Sequence, residues 1–276
     1  MRVFISSDME GTAGIVDWSQ CRPPGPAYEA GCRLLLAEVN AAIDGCADAG
    51  ADEVLVNDSH GLMANLPPEQ LHSRASYASG RHKPLYMMER LSPDYQAVLF
   101  VSYHGSMGSN GVLSHTYNPR AISEVRLNGT VTGEAGINGL VALGHGVPVA
   151  LVTGDQVTIE ESRPWFPDAV GVVVKESVSR FCAESLHPEL ARELIRSGAA
   201  EAVQRVLDGG VALPRIELPA TLEVSWLTAD MAELVTVLPR SERVDARTVS
   251  FRDDDPVRLY RNFTAAISLT RSLVES

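Results

Sequence analysis

The stretch RVFISSDMEG, residues 2–11, joins an apolar run directly to two acidic residues. The RVFIS part has the β-branched and aromatic content of a buried strand. Asp8 and Glu10 follow it at once, although an ionised carboxylate beside a core is costly unless something compensates its charge. The stretch therefore predicts the first strand of a sheet and, at the end of that strand, a site that uses acids.

Similar apolar runs recur along the chain and alternate with helical patterns, which is typical of an α/β protein. We predict strands at 2–6, 53–57, 97–103, 147–153 and 170–174, and helices near 28–49, 134–145, 156–162, 187–208 and 255–274. The strands are continuous rather than alternating in hydrophobicity, as expected when helices cover both faces of a sheet. The prediction is a mostly parallel sheet flanked by helices.

The hydrophobic pattern of the sequence changes after about residue 210. An alternating segment, IELPATLEVSWLT (216–228), and a later TVSFR run (248–252) favour antiparallel strands. We therefore predict an α/β metal-site domain at 1–210 and a smaller α+β C-terminal part at 211–276, packed onto the same domain.

Composition limits the possible functions. The 276 residues carry a net charge of −12 and a pI of about 5.0, which argues against nucleic-acid binding and against binding to an anionic membrane. The sequence shows neither a signal-peptide pattern nor an apolar run of membrane-spanning length, so a cytoplasmic location is expected. The four cysteines have no C-x-x-C spacing, so reduced thiols are expected.

Candidate ligands follow three of the predicted strands. Asp8 and Glu10 follow the first strand, His60 follows the second within NDSHG, and His104 follows the third within YHGS. Ligands bind at the carboxyl ends of the strands in an open parallel sheet. Two carboxylates and two histidines exceed what one tetrahedral zinc with an open position needs, so we predict two ions, with Asp8 as the bridging carboxylate.

Two further candidates are Glu134 in VTGEAGIN, just after a predicted β-hairpin, and His115 in GVLSHTYN. Glu134 is equally compatible with a first-turn acid favoured by the helix dipole, and His115 with packing in a loop. Asp155 is interpreted as a helix cap or as an acid that holds a ligand histidine. Lys83 and Lys175 are interpreted as surface charge.

Six segments, in chain order, resemble the DppA-type D-aminopeptidase family of zinc metallopeptidases: SDMEG, NDSH, FVSYHG, GVLSHT, NGTVTGEAGING and VPVALVTGD. The resemblance covers nearly the whole chain and is weaker after about residue 185. It implies two zinc ions per subunit and a homodecamer of stacked pentamers around a chamber. It also implies removal of D-amino acids from the N-terminus of short peptides. The implied zinc ligands are Asp8, Glu10, His60, His104 and Glu134, and the implied catalytic residue is His115, as general base or nucleophile.

Two other functions are compatible with the same residues. A two-metal phosphoesterase or another amidohydrolase uses mixed Asp, Glu and His ligation; for the phosphoesterase, Arg120 and Arg126 would have to approach the site. A non-enzymatic interaction or assembly protein would use the ions only to hold loops together.

Overall fold

The structure, a computed structural model, describes residues 1–274. Its strands are β1 (Arg2–Ser7), β2 (Glu53–Asp58), β3 (Ala75–Ala78), β4 (Ala97–Val101), β5 (Ile122–Leu127), β6 (Thr130–Val131), β7 (Val149–Asp155), β8 (Val170–Ser179), β9 (Cys182–Ser185), β10 (Ala220–Trp226), β11 (Ser241–Arg243) and β12 (Thr248–Asp253). Its α-helices are α1 (Pro26–Asp48), α2 (Glu134–His145), α3 (Gln156–Ser162), α4 (Pro188–Leu207), α5 (Ala229–Val235) and α6 (Pro256–Thr270).

The larger sheet has the strand order β3-β2-β1-β4-β7-β8-β9. Its neighbouring strands run parallel except at the β8–β9 pair. Ser7, the last residue of β1, pairs with Asp58 of β2 and with Val101 of β4. Three central strands therefore end at one level, and the loops that follow them start side by side.

Both faces of this sheet are covered, as the continuous apolar runs predict. Val3 and Ile5 of β1 pack in one cluster with the apolar stripes of α1 and α4. Phe4 points to the opposite face and belongs to a second cluster that includes residues of α2 and α6. The predicted mostly parallel sheet flanked by helices is confirmed.

The smaller sheet is antiparallel, with the order β11-β12-β10-β5-β6. The alternating segment after residue 210 forms β10, whose residues Leu222, Val224 and Trp226 point into the second cluster. The hairpin β5–β6 comes from residues 122–131 and supplies the other edge of this sheet. The sheet thus combines strands from both sides of residue 210, and the division into two parts at that residue stays a prediction.

Among residues 1–274, no helix is both long enough and apolar enough to cross a membrane. The cytoplasmic location stays a prediction.

Candidate metal centre

The loop after β1 is held against the end of β4. The Asp8 amide donates to the Val101 carbonyl at 2.9 Å, and the Gly11 amide donates to the Ser102 carbonyl at 2.9 Å. Gly11 is required here, because a Cβ atom at this position would lie 1.9 Å from the Tyr103 carbonyl oxygen. This close backbone contact brings the acids of the first loop beside His104.

Asp8 lies between two histidines. Its Oδ1 is 3.3 Å from His60 Nδ1, and its Oδ2 is 3.1 Å from His104 Nε2. Glu10 Oε2 is 3.0 Å from the same His60 nitrogen. Each oxygen of Asp8 therefore faces a different ring, as a bridging carboxylate would.

Glu134 and His115 complete the centre on its other side. Glu134 is the first residue of α2, and its Oε1 lies 3.6 Å from His104 Nε2 and 3.8 Å from His115 Nε2. The His104 and His115 rings stack with centroids 4.2 Å apart. The structure therefore brings all six predicted side chains together.

Two overlapping groups in this centre have ligand atoms within 4.8 Å of one another. One contains Asp8, Glu10 and His104, and the other contains His104, His115 and Glu134. The grouping keeps His115 among the possible ligands, as the sequence candidates did, whereas the family resemblance implies a catalytic role for it.

Each histidine has one ring nitrogen on a backbone carbonyl and the other facing carboxylates. The carbonyl partners are Cys21 for His60 at 2.8 Å, Gly105 for His104 at 2.9 Å and Leu113 for His115 at 3.0 Å. Histidines that bind metals typically donate their second N–H in this way, which fixes the tautomer and aims the free lone pair.

The pKa values of the buried acids and histidines in this centre are shifted by burial and by one another's charges. Burial alone would raise the pKa of Asp8, but His104 and His60 outweigh it and hold that pKa below its usual range. Burial raises the pKa of Glu134 to about 8, against the opposing charge of His104. Burial would lower the pKa of His104, yet Glu134 and Asp8 raise it to about 10. The acids and histidines of the site therefore set each other's charge states.

The centre forms part of the floor of a cavity of about 380 Å³. Asp8, Glu10, His60, His115 and Glu134 line it at the bottom. The remaining wall includes apolar and aromatic side chains: Trp18, Leu62, Tyr86, Met87, Tyr117 and Ile267. This volume lies at the small end of the range for ligand pockets, and such a pocket suits a small substrate.

The interpretation of Lys83 and Lys175 as surface charge is wrong. These are the only two lysines in the sequence, and they are 5% and 1% exposed. Lys175 Nζ donates to the carbonyls of Glu10, Thr12 and Ile15 at 2.6–2.9 Å.

Lys83 has the same role in the loop after β2. Its Nζ donates to the Asp58 carbonyl at 2.5 Å, to Asn57 Oδ1 at 2.8 Å and to the Ala78 carbonyl at 3.1 Å. Each lysine therefore braces one loop that carries site residues. Lys175 comes directly after the predicted strand at 170–174, but β8 continues to Ser179, so the predicted strand end indicated where Lys175 lies and not what it does.

Sequence reasoning also missed Glu38, a buried acid on α1. It accepts hydrogen bonds from the Ala13 amide and the Ser102 hydroxyl, both at 2.8 Å, and burial raises its pKa to about 7. It thereby ties the loop after β1 to the residue that follows β4. The available signal was its place on the apolar stripe of the helix, three residues after Leu35.

Asp155 is a helix cap, one of the two interpretations left open. Its Oδ1 accepts from the Thr158 amide at 2.8 Å, and its Oδ2 accepts from the Val112 amide at 2.7 Å. Its hydrogen bonds within residues 1–274 do not include a histidine of the centre. It holds the loop that leads to His115 instead.

A parallel sheet that gathers buried carboxylates and histidines at its carboxyl edge, beneath a small cavity, is the arrangement of a metallohydrolase. The model of the M55 peptidase family, described as D-aminopeptidase, matches residues 1–265. A D-aminopeptidase of Bacillus subtilis (strain 168) is 32% identical over 262 residues, which cover 95% of this chain and 94% of that protein.

A solved structure gives the same result. The Zn-dependent D-aminopeptidase DppA from Bacillus subtilis, described as a self-compartmentalizing protease, is similar with a TM-score of 0.92 and 30% identity. The similarity covers 98% of this chain and 97% of that one. The chain belongs to the D-aminopeptidase family, and the resemblance predicted from its sequence segments is confirmed.

The Lys175 brace can be tested by Lys175→Met. We expect this variant to lose about 3 kcal/mol of unfolding free energy or more, because three buried carbonyls lose their donor. Urea unfolding at matched protein concentration measures the loss. Glu176→Met is the control, since Glu176 is exposed on the same strand and should change stability by less than about 0.5 kcal/mol. Equal midpoints for the two variants would contradict the brace.

Proposed function

We propose that this protein is a zinc-dependent aminopeptidase that removes an N-terminal D-amino acid from short peptides or amides. Two zinc ions per subunit are held by Asp8, Glu10, His60, His104 and Glu134. The observation that carries the proposal is the convergence of these side chains on one buried centre in a chain of this family. The zinc dependence of the similar Bacillus subtilis structure supports the choice of metal.

The side chains of this centre are better arranged to bind metal ions than to hydrogen-bond to one another. Asp8 Oδ2, Glu10 Oε2 and His104 Nε2 are buried, and none of them has a partner in hydrogen-bonding geometry among the described residues. The nearest imidazole nitrogens lie 3.0 Å from Glu10 Oε2 and 3.1 Å from Asp8 Oδ2, so these contacts are close but poorly directed. Buried polar atoms are normally satisfied, and carboxylate oxygens and imidazole nitrogens are zinc ligands. Three carboxylates and two histidines offer enough ligands for two ions with positions left for substrate, and His115 stays free to act on the substrate.

The chain's own residues would position and activate the reactants. Bound zinc acts as a Lewis acid on the scissile carbonyl. His115 keeps its Nδ1 on the Leu113 carbonyl, so its Nε2 faces the cavity floor beside Glu134. From there Nε2 would take a proton from the attacking water as general base. As nucleophile it would instead bond to the scissile carbonyl carbon while the peptide C–N bond breaks and the amine leaves protonated, and water would then hydrolyse the acyl-imidazole. Apolar and aromatic side chains form part of the wall that would contact a bound substrate.

The first prediction concerns metal content and stereochemistry. The purified protein should carry about two zinc ions per chain, lose activity on chelation and regain it with zinc. It should release D-alanine from D-alanyl peptides much faster than L-alanine from the matched L-alanyl peptides. Elemental analysis and amino-acid release measure these quantities.

Three results would contradict the proposal. They are full activity after chelation, preference for the L-peptides, and hydrolysis of a phosphate ester without peptide hydrolysis. The last result would favour the two-metal phosphoesterase.

The second prediction concerns His115. His115→Ala should lower kcat by at least about 100-fold, the lower end of general acid–base contributions, while the five proposed ligands still retain zinc. Steady-state kinetics and metal analysis on the same sample separate loss of chemistry from loss of metal. His187→Ala is the control, because His187 is exposed and does not line the cavity. Turnover near the wild-type value with zinc bound would exclude both roles of His115.

The third prediction concerns assembly. We propose that the protein forms the homodecamer expected from the family resemblance, and the self-compartmentalizing description of the similar structure supports it. Val178 and Phe181, at the end of β8 and the turn after it, are 70% and 52% exposed, and exposed apolar groups of this kind are suited to subunit contacts. Light scattering should give ten times the 29.7 kDa chain mass. A monomer at micromolar concentration would contradict the proposal.

A further inference from the structure

The cavity of the metal centre is lined by basic residues as well as by the acids of the centre. Arg22, Arg81 and Arg271 line the same cavity as the metal centre. Within residues 1–274, its acidic lining consists of Asp8, Glu10 and Glu134, which the proposed function assigns to the ions. The arginines are therefore the protein charges left for a ligand, in a chain whose net charge is −12.

Arg81 and Arg271 line two cavities together with Tyr86. The Arg271 Nη2 donates to the Tyr86 hydroxyl at 3.3 Å. Burial raises the pKa of Tyr86, the charges of Arg271 and Arg81 oppose that rise, and the charge of Glu134 adds to it. Tyr86, both arginines and Glu134 line the same cavity, so the arginines share that cavity with the metal centre.

The two guanidinium groups are available to a ligand. Both side chains are exposed, and neither forms an ion pair with an acid in the described part of the chain. Arg22 differs, because its guanidinium lies 4.4 Å from the centroid of the Trp18 ring. Arg81, Tyr86 and Arg271 also line a second cavity of about 240 Å³ that lies next to the first, so this pair stands where the two cavities adjoin.

We propose that Arg81 and Arg271 bind the C-terminal carboxylate of the substrate, so that the enzyme selects short peptides with a free C-terminus over amidated or longer ones. This inference rests on the proposed aminopeptidase function. The planar fork of arginine matches a carboxylate with two parallel hydrogen bonds. The N-terminal residue then lies over the metal centre and the C-terminus reaches the arginine pair.

The size of the cavity agrees with this arrangement. A sphere of 380 Å³ is about 9 Å across, and an extended peptide advances at most about 3.5 Å per residue. A cavity of this size therefore accommodates two or three residues.

The test compares D-Ala-Gly with D-Ala-glycinamide, two substrates that share the scissile bond and differ in the terminal carboxylate. We expect the wild type to have a kcat/KM for the free acid at least about tenfold higher, mainly through KM. Arg81→Met and Arg271→Met should each remove most of this preference while changing kcat/KM for the amide less than about twofold. Arg81→Lys should retain part of it, because the charge remains and the fork is lost.

The control variant is Arg261→Met. Arg261 lines the second cavity but not the cavity of the metal centre, so its loss changes the local charge without removing a proposed contact. The preference should survive in this variant. An equal loss in Arg261→Met would show a general charge effect and overturn the assignment to Arg81 and Arg271.

The outcomes separate this inference from the proposed function. Equal kcat/KM values for the two substrates in the wild type would overturn carboxylate recognition while confirming aminopeptidase activity. Loss of both activities to the same extent in the arginine variants would also overturn it, because that result assigns these residues a structural role. Failure of the zinc-loaded wild type to cleave either substrate would overturn the proposed function itself.

Discussion

Three buried carboxylates at one edge of a parallel sheet are the constraint around which this protein is organised. Asp8, Glu10 and Glu134 are each less than 5% exposed, and the imidazoles of His60 and His104 lie beside them. A buried charge without compensation costs several kcal/mol. The site therefore favours cations strongly, and the surrounding residues act to keep the acids in place.

The acids are held in place by other buried side chains that hydrogen-bond to the loops carrying them. Lys83 and Lys175 each satisfy three oxygens in or beside a ligand-bearing loop, and Glu38 joins the loop after β1 to the end of β4. Groups held in this way need little reorganisation when substrate arrives, which is how a preorganised site lowers a barrier. The cost is a set of buried charged groups that are stable only while every partner is in place.

Much of this arrangement can be read from the sequence, for identifiable reasons. The five predicted parallel-sheet runs became strands because a fully buried strand is apolar on both faces. Asp8, Glu10, His60 and His104 were found because ligands gather at strand ends, whereas the roles of Glu134 and His115 came from the family resemblance. The role of Lys175 could not be read in the same way, because its three acceptors are backbone carbonyls and carry no side-chain signature. The pairing of β5 with β10 was also hidden, since pairing between residues about 100 positions apart depends on packing rather than on local pattern.

The central claim is that the cluster around Asp8 holds two zinc ions. Crystals of the purified protein measured on both sides of the zinc absorption edge test it directly. The account predicts two anomalous peaks per subunit, roughly 3.5–4 Å apart, with Asp8 contacting both. A single peak, or strong peaks away from Asp8, Glu10, His60, His104 and Glu134, would contradict it.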